Sequence, residues 1–173
     1  CISDNGTYEP INPSISSLAR IASFETIGDM LWRKEGGPAG ADFEAALAEY
    51  TADELLDSRV QRRYDSHYPA PEDGSSCRDP GVPEMYPDYC VGPAAILPSI
   101  MTAMNAGVAG EDPLLNAARV EASLLWFLHI STFKEANSCA SKSKDCDSTW
   151  AYYTGGEQSE GGLGYSKYVR AIE

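Results

Sequence analysis

Apolar residues recur every three or four positions over most of this chain, and proline, glycine and small polar residues fill the intervals between those runs. That period is the mark of helices with one buried face. Residues 1–13 lack it and read as an extended lead-in. Ser14 or Ser16 is placed to cap a helix through SSLARIASFETIGDMLWRKE, which Gly36-Gly37-Pro38 would end. A second helix is expected from near Asp42. It either continues past Thr51 or restarts there, since Thr51-Ala52-Asp53-Glu54 has the spacing of a capping box. Residues 69–92 form a Pro/Gly-rich loop, and a small-residue helix is expected over about 93–109.

Asp112-Pro113 is a strong start signal for the longest apolar helix, expected over 113–136. Asp147 or Ser148 would cap a short aromatic helix, STWAYYTGG. A Gly/Glu-rich connector follows, either a mobile loop or a linker, and then GLGYSKYVRAIE, which reads as helical. No segment shows sustained alternation of apolar and polar residues, so strands are not expected. The fold class predicted is all-α, a disulfide-stapled helical bundle forming one domain over 1–173. LARIASFETIGDMLWRKEG can be laid over AARVEASLLWFLHISTFKEAN, which suits half of an internally duplicated fold as well as a coincidence of two amphipathic helices.

The five cysteines sharpen this picture. Cys77 and Cys90 lie 13 apart in the Pro/Gly-rich loop, and Cys139 and Cys146 lie seven apart in a polar one. Short rings in loops suggest disulfide staples, Cys77–Cys90 and Cys139–Cys146, and hence an extracellular or periplasmic setting. That leaves Cys1 for a disulfide or assembly partner, or as the lipidated first residue of a lipoprotein. Asn5-Gly6-Thr7 is a glycosylation sequon, in keeping with secretion. A start without Met and an end in RAIE suggest a piece of a longer chain.

Charge narrows the partners. Formal net charge is −13, which repels nucleic acid and anionic membranes. No apolar run is long enough to span a bilayer, so no transmembrane segment is expected. Phosphate loops, dinucleotide fingerprints, nucleophile elbows and H-E-x-x-H sequences do not occur, and nothing marks an enzyme.

Candidate chemistry rests on carboxylates set among apolar helix positions. Leu114, Ala118, Glu121, Leu125, Leu128 and Thr132 share one side of the long helix, so Glu121 is expected within its core stripe. Glu25 and Asp29 stand at i, i+4 on the first helix and repel unless a cation lies between them. Two readings follow. Arg20 and Arg119 can neutralise Glu25 and Glu121 crosswise as buried ion pairs. Alternatively, Glu25, Asp29, Glu121 and His129 line a metal site between facing helices, with oxygen-rich ligands suited to iron, manganese or calcium. His129 sits at the edge of the apolar face, His67 is expected at the surface, and Tyr152, Tyr153, Tyr165 and Tyr168 are expected to serve packing.

ARVEASLLWFLHISTFKEA, the short cysteine loop, WAYYTGG and GLGYSKYVRAIE together resemble the algal periplasmic iron-assimilation family and, more distantly, the imelysin-like bundles. The resemblance covers roughly 113–173, although the G-x-H-x-x-E element of imelysins is missing. It implies a non-enzymatic iron-binding role, capture without turnover, outside the plasma membrane. The alternative is a structural or interaction module of a secreted or cell-surface assembly with no ligand.

Overall fold

The protein is all-helical, and the computed structural model describes residues 7–12, 14–156 and 158. Its elements are α1 (Ser17–Met30), α2 (Gly40–Thr51), α3 (Asp57–Val60), α4 (Val82–Met85), a π-helical turn (Gly92–Ile96) leading into α5 (Leu97–Val108), α6 (Pro113–Cys139) and α7 (Ser143–Thr154). Among the described residues there is no strand element, and no helix is long and apolar enough to cross a membrane. The predicted bridges Cys77–Cys90 and Cys139–Cys146 are both formed. Cys1, Asn5, Tyr165, Tyr168 and the terminal helix expected over GLGYSKYVRAIE lie outside the described residues.

The chain forms two compact units, one from Cys1–Ala22 with Ser131–Glu173 and one from Ser23–Ile130. In the second unit, α2 and α5 pack closely against each other. Gly107 allows it, because a Cβ there would run into the Phe43 ring. Phe43, Ala46 and Tyr50 on α2, and Ile100 and Met104 on α5, are fully buried. The π-helical turn sits close against the backbone at the end of α3 and just beyond it. Gly92 N–H donates to the Arg63 carbonyl at 3.0 Å, and any side chain at 92 would strike the Val60 and Arg63 carbonyls. Cys77, Val82 and Cys90 form a small satellite core under Tyr64, Tyr86 and Tyr89, which gives the Pro/Gly-rich loop apolar support alongside its bridge.

Several boundaries differ from expectation, each for a local reason. α1 ends at Met30, not at the glycines. The Arg33 N–H closes a wide turn onto the Gly28 carbonyl at 2.9 Å, and its guanidinium caps the Glu25 carbonyl. Thr51 closes α2 instead of opening a helix: its hydroxyl donates back to the Leu47 carbonyl at 2.8 Å. The capping interaction lies at the other end of α2, where the Ala39 N–H donates to Asp42 Oδ2 at 2.8 Å. α7 begins at Ser143, inside the cysteine loop, so neither Asp147 nor Ser148 is its cap.

The largest correction concerns α6. Its core face runs through Ala117, Val120, Leu124, Phe127 and Leu128, all at most 2% exposed. Leu114 is 71% exposed, Ala118 is also exposed, and Glu121 and Leu125 are half-buried. Of the six residues expected on that face, Leu128 is the one fully buried. The true face carries small polar residues, Asn116 and Ser123, among its apolar ones. Both stripes thus mix apolar and polar positions, and the expected one lies about 100° round the helix from the true one.

Candidate functional site

The carboxylates singled out by the sequence meet an arginine, though not the expected one. Arg33, just past the end of α1, donates from Nη1 to Glu25 Oε2 at 2.6 Å and from Nε to Asp29 Oδ1 at 2.9 Å. The wide turn that stops α1 at Met30 folds Arg33 back along its own helix. The cation that relieves the i, i+4 repulsion of Glu25 and Asp29 thus comes from four and eight residues downstream. The expected crosswise pairing is not what neutralises this pair. Arg119 donates to its own helix neighbour, Asn116 Oδ1, at 3.1 Å, and Arg20 donates to Ser16 Oγ at 3.4 Å.

Glu121 lies in the field of the same Arg33. Burial pushes its carboxyl above the ordinary value, and the arginine's positive charge draws it back only in part. Glu25 is enclosed, with a side chain 15% exposed, while Asp29 is open at 77%. His129 is exposed on α6 rather than at the edge of a core. His67 is a surface residue, as expected, with Nδ1 at 2.7 Å from Asp65 Oδ1. Among the described residues, no three His, Cys, Asp or Glu side chains are gathered as a metal ion would require. An open groove beside the Cys77–Cys90 bridge, lined by Gln61, Arg78, Asp79 and Glu84 together with prolines, contains none of the candidate ligands.

A second polar centre was missed by sequence reasoning. Asp147, on α7, is 1% exposed. One carboxylate oxygen accepts from the Tyr8 hydroxyl at 2.6 Å and from the Ile11 N–H at 2.9 Å, and the other accepts from the Asn12 N–H at 2.8 Å. Burial by itself would raise the Asp147 carboxyl, but these three donors overcome it and hold it below the usual carboxylate range. The Tyr8 phenol is driven the other way, by burial first and then by its bond to that carboxylate. The Tyr8 ring stacks on Trp150 with centroids 4.7 Å apart.

Gln158 completes this centre. The Tyr8 N–H donates to its Oε1 at 2.8 Å, and its Nε2 donates to the Tyr8 carbonyl at 2.9 Å. The partners are separated by 135 to 150 residues, so no local pattern betrays them. The one available signal was an acid immediately after Cys146, which also fits a helix cap. Tyr152, expected to serve packing, is 1% exposed, and Tyr153 is 46% exposed.

Compared with protein-family models, with curated proteins and with solved structures, the chain matches none.

Proposed function

We propose that this chain is a non-catalytic interaction module of an extracytoplasmic assembly. The observation that carries the reading is Arg33. It occupies the space between Glu25 and Asp29 that a metal ion would need, so these acids act as an internal ion cluster. Two disulfides support a setting outside a reducing compartment. Elemental analysis combined with sedimentation equilibrium tests the reading. We expect no stoichiometric metal and a mass that rises with protein concentration. A strictly monomeric chain carrying one metal ion per molecule would overturn it.

A second reading, iron capture, is favoured by Glu121 and by the resemblance to periplasmic iron-assimilation proteins. Glu121 is half-buried, and burial pushes its carboxyl above the ordinary value despite Arg33; a cation bound beside it would offset the cost of ionising it there. Glu121 and Glu25 would then be the central ligands, with Asp29 and His129 peripheral. Glu121→Gln should lower iron stoichiometry while leaving the helical circular dichroism unchanged. Equal iron content in the two proteins excludes this role.

A further inference from the structure

Residues 7–12 are held as a bound peptide is held. The segment lies on the surface, with Glu9, Pro10, Ile11 and Asn12 exposed. These contacts are those of a ligand: one aromatic ring stacked in place, one hydroxyl recognised by a buried carboxylate, and backbone groups read at both ends. Gln158 pairs with both the N–H and the carbonyl of Tyr8, as a neighbouring strand would. Asp147 takes two consecutive amides together with the phenol. Recognition of backbone in an extended segment does not depend on which copy of the chain supplies it.

We propose that Asp147, Trp150 and Gln158 form a peptide-binding site whose occupant in the assembly is the Tyr8–Asn12 segment of a second copy. The inference rests on the assembly reading above and names its partner. Exchange of an identical element retains every contact of the closed form, so the cost is confined to association itself. In the single chain the tethered segment has the advantage of a high effective concentration. Trans occupancy therefore emerges where chains are crowded or where the tethered segment is disabled.

The test uses two full-length variants. Tyr8→Ala spoils the segment and leaves the site intact; Asp147→Asn spoils the site and leaves the segment intact. Each alone should sediment as a monomer, and an equal mixture should yield a one-to-one heterodimer detected by native mass spectrometry. Should Asp147→Asn fail to fold by circular dichroism, Gln158→Ala takes its place, because Gln158 is exposed. In parallel, a synthetic peptide of residues 7–12 should bind the Tyr8→Ala protein by calorimetry. Replacing its tyrosine by phenylalanine should weaken binding about tenfold or more, the usual range for a hydrogen bond to a charged group.

A folded mixture that stays monomeric, together with a peptide that does not bind, overturns the inference. If the wild type still self-associates in that case, the assembly reading stands on another surface. If it is monomeric and metal-loaded, both fail.

Discussion

Arg33 and Asp147 have opposite roles although each gathers partners of opposite charge or polarity. Arg33 neutralises acids of its own helix; Asp147 fastens a segment distant in sequence. Removing Arg33 leaves Glu25 enclosed without its cation. Arg33→Met should therefore destabilise the protein by about 2 kcal/mol, the cost of stranding a largely buried charged acceptor. The double variant Arg33→Met, Glu25→Gln should regain part of that loss, because no charge is then left stranded. Urea unfolding midpoints of the three proteins decide the matter; a double variant no better than the single one refutes it.

The Asp147 carboxyl titrates lower in the folded chain than in the unfolded one. Its contribution to stability is thus fully present above the unfolded value of about 3.9 and is lost as pH falls through the lower folded value. Acidification across that window should free residues 7–12 before the helices melt. Hydrogen exchange of the Ile11 and Asn12 amides, followed against helical ellipticity, measures it. Simultaneous loss of the two signals would contradict this ordering.

At the level of elements, the long helices were legible in the sequence, whereas the four-residue helices α3 and α4 and the facing of α6 were not. The period of apolar residues marks the long elements because it follows from 3.6 residues per turn. It does not fix which of two adjacent stripes is buried when the real core face includes Asn116 and Ser123. The end of α1 was illegible for a related reason. Gly36 and Gly37 have the positive φ of chain reversals, but they lie in the connection to α2, after the turn that places Arg33 has already ended the helix. The Asp147 centre left no trace in local pattern, since its partners are more than a hundred residues away.

Where backbone meets backbone, a single methyl group is a sharp probe. Gly92→Ala should cost about 1–3 kcal/mol through overpacking, because the obstructing atoms are carbonyl oxygens of Val60 and Arg63 rather than a flexible side chain. Thermal unfolding should show a lowered midpoint. An unchanged one would mean that the α3 contact is loose enough to admit a methyl group.

Across the whole molecule, the two bridges close rings of different size in places with different support. Cys77 and Cys90 are 5% and 0% exposed and belong to a small core of their own. Replacing both by serine should cost about 3 kcal/mol from loop entropy alone, with a further loss from the satellite core. Calorimetric unfolding of that variant, beside one lacking Cys139 and Cys146, gives the comparison. We expect the first to be the more destabilised, by virtue of its longer ring and deeper burial. The reverse order would place the main stapling effect at the junction of α6 and α7. Both pairings were readable in advance, because short spacing in polar loops leaves few geometric alternatives.

The stack of Tyr8 on Trp150 also gives the protein an optical handle. Of its three tryptophans, Trp126 is 43% exposed, whereas Trp150 lies against a phenol that is itself bound to a carboxylate. Detachment of the lead-in removes that ring from one indole face and admits solvent to it. Emission from Trp150, isolated by replacing the other two tryptophans, should then shift to the red and change in lifetime. The position of six residues on the surface becomes readable from light, without a label.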